Sequence, residues 1–277
     1  PMTEESKKIT LLELATHTSG MPRQPMVPSL LFRVARYEFT GDDFYRQYDT
    51  SYILDYLDEF DWSPTDHPLY SNTGYALLGY IIEQRTGKTL QELLQEKIAG
   101  PLQLKETGFD LGQLPGHAAR ARGYSGDEPL FVRRGQPVPD FQLTHMMKST
   151  GGLYSSARDI LSFAAACMRD DGSPLSSLLD DTLQVRVPQA LGATGIAWFQ
   201  DQVDGERINY QEGLIGGFSA YVGMDRAHHT AVVVFENSFN WDFTIGHRLL
   251  IRMARAEELA GRAVTTGTRA AMEEGQR

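Results

Sequence analysis

The chain has 277 residues, of which 41% are hydrophobic and 22% charged, a composition typical of one large or two ordinary globular domains and not of a disordered protein. Its 36 Asp and Glu outnumber its 26 Lys and Arg, and the net charge of −10 argues against a broad nucleic-acid-binding face and against electrostatic docking on an anionic membrane. A single cysteine, Cys167, excludes an internal disulfide and a cysteine-based metal site, and its apolar neighbours predict a buried side chain. No apolar run approaches the ~18 residues of a membrane span, and residues 1–8 are not followed by the apolar segment of a signal peptide.

Helix signals open the chain. Thr10 and Glu13 form a capping box that predicts a helix ending at Gly20 and Pro22. The proline-punctuated segment 21–41 is interpreted as a loop. Residues 42–60 have a helical pattern with a solvated acidic face, and the candidate inward positions are Phe44, Tyr48, Ile53, Leu54 and Leu57.

Three further helices are indicated before residue 170. One contains Tyr75 and ends at Gly87, and the next begins with a second capping box at Thr89 and stops at Gly100-Pro101. The Gly-, Pro- and Arg-rich segment 105–148 is expected to be irregular. A third helix is capped near Ser155 or Ser156 and runs to about residue 168.

The pattern then changes to strands, predicted at 196–202, 206–210, 218–224 and 230–236. In the third of these, apolar residues at 218, 220, 222 and 224 alternate with Ser219, Tyr221 and Gly223, as in a half-buried antiparallel strand. The predicted organisation is therefore a helical region at about 9–170, a sheet region at about 194–237, a final helix at about 243–260 and a disordered tail at 264–277. Helices followed by a meander predict an α+β fold with an antiparallel sheet flanked by helices.

Several short segments carry side chains suited to chemistry. Tyr70-Ser71-Asn72 precedes a helix, so either Asn72 is an N-cap, or its amide and the Tyr70 phenol project together into a cleft, where the phenol transfers protons and the amide orients a carbonyl. The glycines of segment 211–218 either mark a turn or allow a substrate to lie against a strand. His17 beside Ser19 lacks the strand-turn-helix elbow of a nucleophile, and a structural role is favoured for both.

His228-His229 is predicted to occupy a hairpin turn. No second histidine pair or comparable ligand spacing accompanies it, so a zinc site is not favoured.

Four of these segments, taken in order, resemble the serine β-lactamase and penicillin-binding protein superfamily, in particular its class C-like branch. They are the opening Ile-Thr-Leu-Leu-Glu-Leu-Ala-Thr-His-Thr-Ser-Gly-Met-Pro at 9–22, Tyr-Ser-Asn-Thr-Gly-Tyr at 70–75, Gly-Gly-Leu-Tyr-Ser-Ser-Ala-Arg-Asp at 151–159 and Gly-Gly-Phe-Ser-Ala-Tyr-Val-Gly at 216–223. The likeness covers roughly residues 9–237 and is specific as an ensemble. It implies a β-lactamase/transpeptidase-like domain over residues 1–263.

The resemblance also implies a function. A serine attacks a β-lactam, a D-Ala-D-Ala peptide or an ester, and the acyl-enzyme is then resolved by water or another acceptor, without a cofactor. Tyr70 and Asn72 take catalytic positions, and Gln211, Gly213 and Leu214 take substrate-binding positions, with the Leu214 backbone N–H as an oxyanion donor. A small-molecule or peptide substrate is implied, together with a periplasmic or secreted location.

The sequence departs from the family at the nucleophile. No S-x-x-K occurs in the 277 residues, and although Arg158 has the right offset from Ser155, a guanidinium does not act as a base. We therefore expect that the chain is N-terminally incomplete, that the first strands of the sheet are missing, and that it is inactive alone. The alternatives are that a second polypeptide supplies the serine, or that the protein is a non-catalytic binding or scaffolding relative.

A second departure concerns charge. Gln211-Glu212-Gly213 stands where the family usually carries a Lys-Thr-Gly or His-x-Gly motif. Lowering the pKa of a tyrosine from ~10 to ~7 takes about 4 kcal/mol of differential stabilisation. Gln211 supplies no charge, and a Glu212 carboxylate would oppose the ionisation of Tyr70, which is then expected to act as a neutral hydrogen-bond relay or to depend on a lysine outside the chain.

Overall fold

The computed structural model describes residues 9–59, 63–189, 192–203, 205–242 and 244–256. The helices are α1 (Leu11–Ala15), α2 (Pro28–Thr40), α3 (Thr50–Glu59), α4 (Asn72–Thr86), α5 (Leu90–Leu94), α6 (Gly100–Leu102), α7 (Lys148–Gly151), α8 (Ala157–Met168), α9 (Pro174–Leu183) and α10 (244–256). A π-helical segment, Gln95–Ala99, joins α5 to α6. The strands are β1 (Val187–Gln189), β2 (Gly192–Thr194), β3 (Phe199–Val203), β4 (Glu206–Ile215), β5 (Phe218–Asp225) and β6 (Thr230–Glu236).

The capping boxes predicted at Thr10 and Thr89 are both present, and Gly87 ends α4 in the left-handed conformation. The first helix is shorter than predicted, because α1 ends at Ala15. The predicted stop at Gly100-Pro101 falls inside a helical run that continues to Leu102. Local side-chain-to-backbone bonds are thus read correctly from sequence, while helix ends shift by a few residues.

The interpretation of residues 21–41 as a loop is wrong, because α2 occupies most of that segment. Pro28 lies in its first turn, where a missing backbone N–H costs nothing, and Gly41 ends the helix with a φ of +73°. Conversely, the helix predicted over 42–60 begins only at Thr50. No side-chain cap marks the start of α2, so its formation depends on burial of Leu30 and Tyr37.

The helical layer packs around a cluster of buried residues, which includes three of the five predicted inward positions. Tyr48, Ile53 and Leu57 are buried as predicted, and Leu54 packs against the cluster from a half-buried position. The remaining buried members are Leu14, Met21, Ala76, Leu77, Met146 and Met147. This cluster joins α1, α3 and α4 and thereby fixes the segment that precedes α4.

The six strands form one antiparallel meander in the order β1-β2-β3-β4-β5-β6, which confirms the predicted α+β fold. Two boundaries need correction. The helical region extends through α9 to Leu183, and the sheet begins at Val187 instead of about 194. The final helix is helical throughout 244–256, and the predicted tail at 264–277 lies outside the described residues. None of the described helices is both long and apolar enough to span a membrane.

The alternation predicted for the third strand is present in β5, but the faces are reversed: Ser219, Tyr221 and Gly223 are buried, whereas Phe218, Ala220 and Val222 are half-buried. Tyr221 is 2% exposed and its ring centroid lies 5.4 Å from that of His247 on α10, while Met224 is buried in a cluster with α8. Cys167 belongs to this α8 cluster and is 1% exposed, as predicted. Helices pack on both sides of the sheet, so the apolar pattern of the strand alone does not show which face of β5 is more deeply buried.

Gly216 and Gly217 form the two-residue turn between β4 and β5. Their φ values are +45° and +80°, and positive φ at both central positions is what a tight hairpin turn requires. A Cβ on Gly217 would lie 2.4 Å from Val138 Cγ2 and 2.8 Å from the Tyr124 backbone N, so the turn is pressed against the irregular segment 105–148. The turn interpretation of these two glycines is correct.

We expect Gly217→Ala to lower the free energy of unfolding by roughly 2–5 kcal/mol, since it combines left-handed strain with overpacking. Gly172→Ala is the matched control, because Gly172 has a φ of +71° and open space around its Cβ position. The control should lose about 1–2 kcal/mol. Urea denaturation of both variants makes the comparison, and equal losses would contradict the packing described for Gly217.

Candidate active site

His17 is the buried anchor of the Tyr70 segment. Its Nδ1 accepts the backbone N–H of Ser71 at 3.0 Å, and its backbone O accepts the N–H of Leu69 at 2.7 Å. The imidazole is 4% exposed, and its centroid lies 4.4 Å from that of the Tyr70 ring and 4.8 Å from that of Tyr75. Burial lowers the pKa of His17 from 6.5 to about 4, so the ring is uncharged at neutral pH. These contacts are the structural role that the sequence favoured for His17.

Ser71, and not Asn72, caps α4. Its hydroxyl accepts the N–H of Gly74 at 2.8 Å and donates to the backbone O of Pro22 at 2.8 Å. Asn72 is therefore released from capping. Its backbone N–H donates to the Arg23 carbonyl at 2.9 Å, and its Nδ2 donates to the Tyr45 hydroxyl at 3.0 Å. The amide is held in a fixed orientation at the start of α4.

The Tyr70 side chain lies between the helical layer and the sheet and is 38% exposed. The Arg23 guanidinium carbon lies 5.3 Å from the ring centroid, within cation–π range. Burial raises the pKa of Tyr70, the Arg23 charge opposes this rise, and the Glu212 carboxylate adds to it. Tyr70 is therefore a neutral phenol at neutral pH.

The distal half of β4 has an open edge. Pairing with β3 ends at Tyr210, so the neighbouring residues on the β3 side do not continue the ladder along 211–215. The Glu212 N–H faces this edge, since it bonds to Oε1 of Gln211 at 3.0 Å and not to β5. Because successive N–H groups of a strand alternate in direction, the Leu214 N–H faces the same edge. Gly213 has open space where a Cβ would stand.

Gln211 is bound within the protein. Its Nε2 donates to the Ala197 carbonyl at 2.7 Å while its Oε1 receives the Glu212 N–H. Burial and the nearby Asp201 raise the pKa of Glu212. Both polar groups of the Gln211 side chain, which was predicted to bind substrate, are therefore hydrogen-bonded within the protein at the start of the open edge. Glu212 is the acidic residue next to it.

Phe199 joins the two halves of the cleft. Its ring centroid lies 6.3 Å from that of Tyr70 and 5.8 Å from that of Tyr210, its register partner on β4. A cavity of about 160 Å³ lies beside Tyr70 and is lined by Pro68, Tyr70, Gln189, Ala193, Phe199, Gln200, Asp201 and Tyr210. Of the predicted site residues, Tyr70 lines this cavity, whereas Asn72, Gln211, Gly213 and Leu214 are not among its lining residues. The Glu212 carboxyl nevertheless lies near enough to Tyr70 to raise the pKa of the phenol.

Two other predicted segments, around Ser155 and His228, form hydrogen bonds and ion pairs with residues that do not line this cavity. The hydroxyl of Ser155 hydrogen-bonds that of Thr107 at 2.8 Å, in a network that Asp159 completes. At the far end of β4, about 30 Å along the strand from the glycine turn, His228 Nδ1 lies 2.8 Å from Asp225 Oδ2 and 3.5 Å from Glu206 Oε2. These two groups tie loops and turns together.

Sequence reasoning missed Arg23 and Tyr45. Arg23 directly follows the Met21-Pro22 end of the opening motif, but its contact with Tyr70 is created by the fold. Tyr45 lies in the segment assigned to a helix, and its hydroxyl is the partner of the Asn72 amide. Burial raises the pKa of Tyr45, and Arg23 and the Asn72 hydrogen bond oppose that rise.

The layered fold, an antiparallel sheet flanked by helices, is that of the β-lactamase/transpeptidase-like class. The chain belongs to the Beta-lactamase family, whose model matches residues 2–255. An N-acetylmuramyl-L-alanine amidase of Bacillus subtilis is 34% identical over 107 residues, which are 37% of this chain and 22% of that protein. The matches to the first curated relatives span 22% and 42% of those relatives' lengths.

Solved structures share the fold at low sequence identity. D-alanine carboxypeptidase AmpC from Burkholderia cenocepacia is similar with a TM-score of 0.67 and 19% identity, over 87% of this chain and 70% of that one. D-amino acid amidase from Ochrobactrum anthropi is similar with a TM-score of 0.65 and 22% identity, over 85% of this chain and 66% of that one.

The uncharged state of His17 makes a prediction about pH. The unfolded chain binds a proton on His17 near pH 6.5, whereas the folded chain resists it to about pH 4. The contribution of neutral His17 to the free energy of unfolding is thus fully present above pH 6.5. It is lost as the pH falls toward 4, by roughly 3 kcal/mol in total. His17→Asn removes the titration and tolerates the left-handed backbone at this position.

Urea denaturation at pH 7 and pH 5 should show a loss of stability that is about 2 kcal/mol larger in the wild type than in His17→Asn. The other titratable groups contribute equally to the pH dependence of unfolding in both proteins. The same pH dependence in both would contradict the buried neutral imidazole.

Proposed function

We propose that this chain is the Tyr-x-Asn and substrate-binding part of a serine hydrolase that acts through an acyl-enzyme. The observation that carries the proposal is that Tyr70 lies within electrostatic reach of Glu212 on the unpaired half of β4, while Asn72 begins helix α4 two residues further on. A serine hydroxyl attacks the substrate carbonyl, and its proton passes through the Tyr70 hydroxyl to the leaving group. The Asn72 amide orients the substrate, and the Leu214 N–H stabilises the oxyanion.

The serine and its lysine belong to polypeptide outside these 277 residues, because no S-x-x-K occurs among them. Residues 1–263 supply the β-lactamase-related domain that receives this segment. The neutral state of Tyr70 fits the same division, since a phenol without a nearby lysine works as a relay and not as a base. The chain alone is therefore inactive by this mechanism.

The proposed substrate is a β-lactam, a D-Ala-D-Ala peptide or a small ester. The names of similar proteins, an N-acetylmuramyl-L-alanine amidase, a D-alanine carboxypeptidase and a D-amino acid amidase, support hydrolysis of an acyl bond in a small or peptide substrate. The open edge of β4 supports an extended ligand, because the Leu214 N–H that faces it can pair with a peptide backbone.

A non-catalytic binding protein is the second candidate. It is favoured by the Gln211-Glu212 pair, which replaces a cation by an amide and a carboxyl beside Tyr70. Fluorescent penicillin added to the native polypeptide, expressed from its own reading frame, separates the two. Covalent labelling excludes the non-catalytic function, and an unlabelled but ligand-binding protein supports it.

We expect Tyr70→Phe in the native polypeptide to lower kcat for nitrocefin or a p-nitrophenyl ester by about 100-fold or more, because the proton relay is lost. Tyr80→Phe, on the body of α4, is the matched control and should keep activity near that of the wild type. The purified 277-residue chain should show no turnover. Turnover by that chain, abolished by Tyr70→Phe, would place the nucleophile within it and contradict the proposal.

A further inference from the structure

Arg23 is fixed at the border of the cleft. Its carbonyl receives the Asn72 N–H, and the flanking Met21 and Pro25 are buried, so the backbone at this point is held on both sides. The side chain is exposed and its guanidinium lies against the Tyr70 ring, 5.3 Å from the centroid. A guanidinium that contacts an aromatic ring retains N–H groups that can bind a carboxylate in a bidentate manner.

The guanidinium of Arg23 has no carboxylate within 4.0 Å and no hydrogen-bond acceptor among the described residues. Some described arginines pair with aspartates, including Arg36 with Asp42, Arg134 with Asp127 and Arg226 with Asp180. What distinguishes Arg23 is its position against the Tyr70 ring. The charge of Arg23 therefore lies beside the Tyr70 ring without a carboxylate partner among the described residues.

The cleft needs such a charge if its ligand is an anion. The net charge of −10 repels anions, and Glu212 and Asp201 add negative charge on the sheet side. Gln211 supplies none. Among the described groups that act on the Tyr70 phenol, Arg23 is the cation. The positive charge of the cleft thus lies on the helical side, beside Tyr70 and Asn72.

We infer that Arg23 is a specificity-determining residue that binds a carboxylate of the substrate while Tyr70 and Asn72 contact the scissile group. The inference rests on the proposed function and narrows its substrate class to acyl compounds that carry a carboxylate. A neutral ester of similar size binds less tightly. The carboxylate can stand on the leaving-group side or on the acyl side of the scissile bond.

Equilibrium titrations of the 277-residue chain with three ligands distinguish a carboxylate on the leaving-group side from one on the acyl side. N-acetyl-D-Ala-D-Ala carries a C-terminal carboxylate, its C-terminal amide is neutral, and N-succinyl-D-Ala-D-Ala amide carries the carboxylate on the acyl side. We expect one of the two anionic ligands to bind about tenfold more tightly than the neutral amide, as a charged hydrogen-bonded contact provides. The anionic ligand that binds more tightly shows on which side of the scissile bond Arg23 binds the carboxylate.

Arg23→Gln should remove this preference, and Arg23→Lys should retain part of it. Arg133→Gln, which removes the same charge from an exposed site in the segment 105–148, should leave it unchanged. Circular dichroism of each variant shows whether the fold is kept, and a merely structural role would weaken all three ligands together. Equal binding of the three ligands by the wild type, or a preference that survives Arg23→Gln, would overturn the inference alone.

Failure of the proposed function has a different signature. If the neutral amide binds and Asn72→Leu weakens it, the cleft is the ligand site whatever Arg23 does. If none of the three ligands binds the wild type, the proposed function is contradicted at this cleft, and the inference is overturned with it.

Discussion

The candidate site depends on one buried, uncharged imidazole. Both polar contacts of His17 with the Tyr70 segment are to backbone N–H groups, which can only donate, so the Nδ1 atom must be free of a proton. A protonated ring would lose the Ser71 bond and bring an unpaired charge into the core. The position of Tyr70, and the start of α4, follow from this neutral acceptor.

The start of α4 then decides which side chains face the cleft. Because Ser71 caps the helix and also bonds to Pro22, the Asn72 amide is left to bond the Tyr45 hydroxyl. The Phe199 ring on β3 lies beside the Tyr70 ring and is paired with Tyr210 on β4. Beyond Tyr210, β4 is no longer paired with β3. The helical layer contributes polar side chains and the sheet contributes backbone donors. The proposed acyl transfer requires such a division, since it must hold a carbonyl and relay a proton.

The features that were predictable from sequence are those set by local bonds. The capping boxes at Thr10 and Thr89, the Gly87 helix stop and the glycine hairpin all follow from contacts between residues close in the chain. Helix α2 was missed because its prolines resemble loop punctuation and its start has no polar cap; packing of Leu30 and Tyr37 stabilises it. Serine and asparagine are equally good caps, so only the bond to Pro22 shows why Ser71 takes that role.

The Tyr70 and Asn72 positions were suggested by motif order, whereas the cation beside them was not. Arg23 reaches Tyr70 through the fold, and no spacing rule connects the two. The central claim is that His17 is neutral and accepts a hydrogen bond at Nδ1, and nitrogen NMR of the imidazole tests it most directly. The account predicts an Nε2–H tautomer whose shifts do not change between pH 7 and pH 5, since the pKa is about 4. A ring that protonates with a pKa near 6.5, or that carries its proton on Nδ1, would contradict it.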